Sequence, residues 1–408
     1  MAREMRDSGV DYLGDIPKDW DVTRGKHVLR LLQRPILDDD GVITCFRDGE
    51  VTLRSNRRTD GFTVSLKEIG YQGVEPGDLV VHGMDGFAGA IGISDSRGKA
   101  SPVLNVMDST EDKRFLMYYL RALAFREVYL ALADGIRVRS CNLSWKKIGS
   151  LSLAIPPIDE QRRIADYLDA RCSEIDRAIE AAERSIEEYR SFFRSLIAKV
   201  ISWSGHESVW PITSLGHVLQ GIRDGVHNSV PRVSEGVPLL SAKNVTESGV
   251  IVGNQESCVS EEDAKSITSS GYPRKGDVLY CCIGGSIGKT CLYDLDVTYP
   301  FQRSVAFLRP NGCITSDYLA FAMKSPTTLS QAFESQSGSA QPGLYLGQIE
   351  GLKIPVPSVD EQRKIAHRLS LAQRRVECVI SIKQSIIEDL KAYKQSLVYE
   401  VVTGKREV

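Results

Sequence analysis

The strongest constraint on this chain is that part of it is written twice. Residues 155–201 (IPPIDEQRRIADYLDARC…) align without a gap on residues 356–402 (VPSVDEQRKIAHRLSLAQ…) at an offset of 201, with 14 identities in 47 positions. Average residue usage would give roughly three. Weaker matches continue upstream with small changes of offset, as loop insertions would produce. Trp20 with His27-Val-Leu answers Trp210 with His217-Val-Leu. Gly77-Asp78 followed by Gly86 and Gly89 answers Gly276-Asp277 followed by Gly285 and Gly288, and Ile148 and Leu151 answer Ile349 and Leu352. A chain with such a period is built from repeated units rather than from one continuous domain. Each unit here reads as a Gly-rich α/β (α+β) domain followed by one long helix.

Each helix has a start signal: a proline-containing lead-in, then Asp159 or Asp360 placed to cap, with Glu and Gln in the first turn. From Leu168 the first helix keeps a four-three spacing through Cys172, Ile175, Ile179, Ala182, Ile186, Tyr189, Phe193, Leu196 and Val200, which predicts a coiled-coil seam. The second helix repeats the seam at Leu369, Val376, Ile380, Ile387, Leu390, Leu397 and Val401, interrupted by Gln373, Lys383 and Lys394. Polar seam positions weaken packing but restrict register and partner choice. About 40 residues at 1.5 Å each make a rod of roughly 60 Å. A rod that leaves the first domain for the second is matched only by one that leaves the second and returns. The expected architecture is therefore two α/β domains, residues 1–154 and 207–354, separated by two long antiparallel coiled-coil helices, residues 155–206 and 355–408, with a pseudo-two-fold repeat and the C-terminus returning near the N-terminus. Helices that merely pack on their own domains are the alternative.

Composition bounds the function classes. No run of about 18 apolar residues is present and the N-terminus lacks the apolar core of a signal peptide, so a membrane partner is not expected and a cytoplasmic location is. The nine cysteines show no CxxC and no Cys/His spacing suited to zinc, and read as small buried hydrophobes; no metal site is expected. Net charge is −2, and neither α/β domain is basic: residues 1–154 carry 22 Lys+Arg against 22 Asp+Glu, residues 207–354 carry 11 against 14. Any face for nucleic acid must then be made by local placement of cations. Gly284-Gly-Ser-Ile-Gly288-Lys289-Thr290 fails the phosphate-loop spacing, because Ile283 stands where the first glycine belongs. The only Pro-Pro, at 156 and 157, precedes Ile158-Asp159 rather than an aromatic, so a base methyltransferase motif is missing as well.

The entry Tyr12-Leu-Gly-Asp-Ile-Pro17-Lys-Asp-Trp20, the two Pro-x-x-Asp-Glu-Gln-Arg helix starts at 156–162 and 357–363, and Gly338-Ser-Ala-Gln-Pro342 ahead of Ile354-Pro-Val-Pro357 together carry a resemblance over essentially the whole chain. The chain resembles the specificity subunits of type I restriction-modification systems. The resemblance implies a non-catalytic DNA-binding subunit whose two target-recognition domains each read one half of a bipartite, asymmetric double-stranded DNA site. It implies partners too: two methyltransferase subunits docked on the helices and further restriction subunits, with S-adenosylmethionine, ATP and Mg2+ on those partners and no cofactor on this chain. A coiled-coil assembly protein with protein-binding end domains is the rival reading.

Candidate DNA contacts follow from side-chain chemistry, since Arg pairs bidentately with guanine and Asn with adenine. In the first domain they are Arg47, Arg54, Asn56, Arg57 and Arg58 in a turn-rich segment, Met84 and Phe87 in the Gly-rich stretch 82–89, and Arg137, Arg139, Asn142 and Lys146 near Trp145 and Lys147. In the second they are Lys243, Asn244, Ser286, Gln302, Arg303 and Gln341. A solvated hairpin, a ligand-free turn and a core-packed Trp145 are the plain alternatives. His27 and His217 read as packed structural residues. Asp159, Glu160, Arg162, Asp360, Glu361 and Arg363 are the expected contacts with partner subunits.

Overall fold

The computed structural model describes residues 3–57, 68–131, 143–201, 210–336 and 342–408. The chain divides into two compact units, residues 1–182 with 385–408, and residues 183–384. In the first unit the central sheet is built from β1 (Leu29–Leu31), β4 (Leu79–His82), β5 (Ile91–Ile93) and β6 (Leu104–Ser109), in the spatial order β1-β6-β4-β5 and antiparallel throughout. A small hairpin, β2 (Ile43–Cys45) and β3 (Val51–Leu53), lies beside it. The strands are rich in Val, Ile and Leu, which suits a pleated, covered surface, and Leu79, Val80, Val81, Ile91, Val106 and Met107 are all buried. Helix α1 (Lys113–Phe125) starts where the Asp112 carboxylate accepts the backbone N–H groups of Arg114 and Phe115. It buries Phe115, Leu116, Tyr119, Leu120 and Leu123, the recurring face of an amphipathic helix.

The second unit arranges β7 (Leu219–Asp224), β8 (Val278–Cys281), β9 (Thr290–Leu292) and β10 (Val305–Pro310) in the order β7-β10-β8-β9, also antiparallel. In chain order this is the same layout as in the first unit. Helices α3 (Ser316–Met323) and α4 (Pro326–Glu334) stand where α1 stands. The turns that enter β4 and β8 are alike in detail. Gly77 and Gly276 sit at φ +87° and +94°, a region open to glycine, and the buried Asp78 and Asp277 accept the backbone N–H of Glu75 and of Arg274, each at 2.8 Å. Asp78 pairs with Arg34, whereas Asp277 holds Arg309 of β10 through two 2.8 Å bonds.

Below each sheet a short antiparallel pair forms a neck: Asp21–Arg24 with Ser152–Ile155, and Ile212–Ser214 with Lys353–Pro355. The registers correspond residue for residue, Val22 opposite Ala154 and Ile212 opposite Pro355. The long helices follow: α2 (Ile158–Val200) of 43 residues and α5 (Val359–Val402) of 44.

Both helices begin two residues earlier than capping by Asp159 and Asp360 would give. Asp159 and Asp360 lie inside the first turn, where they favour the helix through its dipole and bond weakly to Arg162 and Arg363 three residues on. Ser358, not Asp360, receives the backbone N–H of Glu361. Most seam positions are buried: Leu168, Cys172, Ile175, Ile179, Ile186 and Phe193 on α2, and Leu369, Val376, Ile387, Leu397 and Val401 on α5. Ala182, Leu196, Val200, Ile380 and Leu390 are half-buried, and Tyr189 is 36% exposed. All three polar seam residues find partners. In the first unit Lys394 Nζ bridges both carboxylate oxygens of Asp176 at 2.7 Å. In the second, Lys383 stands over the Tyr189 ring at 6.0 Å, and Gln373 donates to the Glu247 carbonyl at 2.7 Å and to Glu377. There Phe192 and Leu196 share one apolar pocket with Ala372, Val376 and Val379, so the two helix segments run in opposite directions.

The entry motif of the chain is a packing motif. Leu13, Ile16 and Trp20 are buried, the Tyr12 hydroxyl accepts the Ser152 N–H at 2.8 Å, and Gly404 lies against Pro17 and Trp20, where a Cβ would come within 2.2 Å of proline carbon. Two expectations are corrected. His27 and His217 are exposed rather than packed, and in the second case it is the backbone carbonyl that serves, accepting from Asn311. Cys313 and Cys378 are exposed, unlike Cys45, Cys281, Cys282 and Cys291, whose thiols burial pushes up to about 12.

Candidate nucleic-acid interface

In the first unit the fold gathers several of the expected contacts on the β2–β3 hairpin and the turn between β4 and β5. Gly49 (φ +92°) closes the hairpin, and β5 accommodates it at Gly92, where a Cβ would stand 1.9 Å from the Gly49 carbonyl oxygen. Arg57 lies over the Phe46 ring at 4.2 Å and pairs with Asp48 at 2.5 Å and Glu50 at 3.1 Å. Its neighbours are held as well: Arg54 Nε donates to Thr44 Oγ1 and Asn56 to Thr52 Oγ1. Arg47 reaches across to Asp85 at 2.8 Å, which brings it beside the turn bearing exposed Met84 and half-buried Phe87. That turn is fastened by His82, whose Nδ1 accepts the N–H groups of Met84 and Asp85; burial lowers the imidazole pKa and so favours this neutral acceptor.

In the second unit the corresponding turn carries Ser286, half-buried, and Gly225 lets the backbone at 301–302 approach closely, a Cβ there falling 2.3 Å from two carbonyl oxygens. This presents Gln302 and exposed Arg303. Lys243 is exposed but paired with Glu256 at 2.6 Å. Asn244 requires a correction. It is buried at 3% exposure, its carbonyl oxygen accepts the Ser241 N–H, and its amide donates to the Ile251 carbonyl and to Glu256. Both donors and the acceptor are spent inside the protein, so it shapes the loop and cannot read a base.

Arg58, Arg137, Arg139, Asn142 and Gln341 lie outside the described residues. Lys146 is exposed on the short helix Trp145–Ser150. Trp145 is half-buried there, not in the core.

Arg47, Arg57 and Lys243 thus come already tied to carboxylates, in keeping with the balanced charge of each domain. Pairing removes long-range field but fixes the guanidinium or ammonium group before a ligand arrives. Glu256 is one such tie: Lys243, then Asn244, hold its carboxyl below the ordinary glutamate range despite opposing burial. A depressed carboxylate contributes stability that is present above the unfolded value and lost as pH falls through the folded one. Acidification below the ordinary glutamate range should therefore loosen the 241–256 loop. Amide exchange at Ile251 across an acid series checks this, and Glu256→Gln should flatten the response.

Sequence reasoning missed the residue that each helix start depends on. Gln161 and Gln362 are fully buried. Gln161 accepts the Asp112 N–H at 3.0 Å and donates to the Pro156 carbonyl at 2.9 Å and to Glu111 at 2.6 Å. Gln362 accepts the Thr315 N–H at 2.8 Å and donates to the carbonyls of Pro357 and Cys313, both at 2.9 Å. One amide in each unit joins the long helix to the segment leading into the domain helix. The recurrence of Gln between acid and base in both copies was the available signal. Glu160, expected at a partner interface, is held by Arg3. Asp159, Arg162, Asp360 and Arg363 are exposed on the first turns, and Glu361 is half-buried there.

Among the described residues no group of three or more His, Cys, Asp or Glu side chains could hold a metal ion, and no helix is long and apolar enough to cross a membrane. Residues 232–388 match the family model of the Type I restriction modification DNA specificity domain. The chain is similar to type I restriction enzyme specificity subunits. It is 23% identical over 322 residues to the Type I restriction enzyme EcoBI specificity subunit of Escherichia coli, covering 72% of this chain and 66% of that one. It is also 23% identical over 395 residues to the MjaVIII specificity subunit of Methanocaldococcus jannaschii, covering 89% and 88%. Among solved structures, a chain from work on complex assembly and conformational transition of the type I R-M system superposes with a TM-score of 0.69 at 17% identity, over 96% of this chain and 99% of that one. The mixed α/β fold with long helices is thus shared with a type I R-M protein.

Proposed function

We propose that this specificity-subunit relative reads a bipartite, asymmetric DNA site, one half per α/β domain, and that its two helices set the gap between half-sites and dock methyltransferase and restriction subunits. The observation that carries the reading is the same sheet order and neck register in both units, dressed with unlike loops. Two readers of one frame but different side chains suit an asymmetric target; identical ones would suit a palindrome. Residues 1–154 and 207–354 are the readers in this proposal, and the intervening helices, near 43 residues or about 65 Å each, form an antiparallel coiled coil long enough to bridge separated major-groove patches on a duplex that turns every 34 Å or so. Arg47, Arg54, Asn56, Arg57, Met84 and Phe87 on one side, and Lys243, Ser286, Gln302 and Arg303 on the other, are the proposed contacts. The exposed first turns at Asp159 and Arg162, and at Asp360 and Arg363, are the proposed docking points. Catalysis, with S-adenosylmethionine, ATP and Mg2+, belongs to the partners in this scheme.

The test is methylation mapping. Purified with its cognate methyltransferase, the chain should direct adenine methylation to one split sequence in a genomic library; failure to find any site-specific methylation would reject the reading in favour of an assembly protein. Insertion of one matched helical turn in both α2 and α5, a lengthening of about 6 Å, should then alter the spacer and leave both half-sites intact.

A further inference from the structure

The neck of the first unit holds a basic cleft, of whose cations the sequence reading above picked out only Lys146. The one-turn helix Gly25–Val28 packs on the short helix Trp145–Ser150 because two glycines allow it. A Cβ at Gly25 would lie 2.4 Å from the Ile148 carbonyl oxygen, and one at Gly149 would meet Lys26 Cβ at 3.3 Å. The Gly25 N–H donates to the Leu151 carbonyl at 2.8 Å, and the Arg24 guanidinium donates to the Ser150 carbonyl at 2.8 Å. Residues more than a hundred positions apart are thereby brought to one rim. The resulting cavity of about 460 Å3 is lined by Arg24, Lys26, Trp145, Lys146, Gly149 and Ser150. Three cations line it and, among the described residues, no carboxylate does. That sets it apart from Arg47 and Arg57 of the hairpin, each of which is tied to an acid.

The same place in the second unit is chemically different. The shared neck register puts Ser214 and Gly216 where Arg24 and Lys26 stand, and Leu346, Gly347 and Glu350 where Trp145, Lys146 and Gly149 stand. Three cations become none, and a carboxylate appears, with Lys353 alone nearby on the neck strand. Since the second neck keeps the same strand register without these charges, the strand pairing does not require them.

We infer that the Arg24–Lys26–Lys146 cleft is a phosphate-binding site that grips the DNA backbone beside the first reader only. This rests on the reading of the chain as a DNA-binding protein. Ammonium and guanidinium groups that face no carboxylate among the described residues release counterions when they meet phosphates, and they carry no sequence information. The cleft therefore acts as an anchor on one half of the site.

The experiment uses the full chain and two 30-base-pair duplexes, one bearing the methylation-mapped site and one scrambled, over about 50 to 200 mM salt. Replacing both Lys26→Gln and Lys146→Gln should weaken the two duplexes by the same factor and make the plot of log affinity against log salt shallower by about 1.8, or 0.9 per phosphate. A control pair on the second unit, Lys265→Gln with Lys275→Gln, should leave the slope unchanged. An unaltered slope in the first variant, a loss confined to the mapped duplex, or an equal change in the control pair would each overturn the cleft. Should the wild-type chain fail to prefer the mapped duplex, the broader DNA-reading proposal fails instead, and the slope comparison on the scrambled duplex still decides the cleft. Both lysines are exposed, so an unchanged thermal unfolding curve confirms that the fold is intact.

Discussion

Gln362→Ala should cost the second unit about 3 kcal/mol, far more than the loss of one exposed polar side chain. The substitution strands the Thr315 N–H and the carbonyls of Pro357 and Cys313 together, and each buried group left without a partner costs about 1–3 kcal/mol, reduced where water can enter. Urea unfolding measures the loss, and amide exchange at Thr315 locates it. A cost below about 1 kcal/mol would mean that water replaces the amide, and the clasp would then be a convenience. Gln161→Glu separates charge from shape in the first unit. Its carboxylate would face the Pro156 carbonyl and the Glu111 carboxylate, which raises its folded-state pKa above the unfolded value. Stability relative to wild type is then retained in mild acid and lost as pH rises.

The second large effect is expected at Gly92→Ala. The added Cβ would meet the Gly49 carbonyl oxygen at 1.9 Å and Val51 at 2.8 Å. Neither is the loose end of a flexible side chain, so the β2–β3 hairpin must lift from β5. Overpacking of this kind costs about 3 kcal/mol, and it displaces Arg47, Arg54, Asn56 and Arg57 together. Under the proposed function, site-directed methylation should fail at the half-site assigned to the first domain, with the other half-site still recognised. Gly285→Ala, where a Cβ meets nothing within 4 Å, serves as the tolerated comparison. Equal tolerance of both substitutions would show that the hairpin is not seated as described.

Much of the frame was legible before any coordinates. Local periodicity is a short-range signal, and most of the positions it marks on α2, among them Leu168, Cys172, Ile175, Ile179, Ile186 and Phe193, are buried. The paired Gly-Asp turns were legible for the same reason, because a left-handed glycine and a carboxylate that accepts a nearby N–H are local necessities. What stayed hidden depends on residues distant in sequence. Nothing local says that Arg47 meets Asp85, or that Arg24 and Lys26 meet Lys146. Asn244 looked like a reader because its type is right for adenine; only the fold shows Ser241, Ile251 and Glu256 consuming it. Gln161 and Gln362 were hidden by company, standing in charged first turns where glutamine is ordinarily solvated, although both are fully buried.

The two glutamine clasps have a consequence for how such a protein can change. Each clasp sits at the base of its unit, and among the described residues its hydrogen bonds run to the helix lead-in and to the approach to the domain helix, not to the loops that carry Arg47, Met84, Ser286 or Arg303. Loops can therefore be exchanged, lengthened or recoded without resetting the angle at which a domain leaves its helix. The mounting and the lens are separate parts, and under the proposed function a new specificity needs only a new lens.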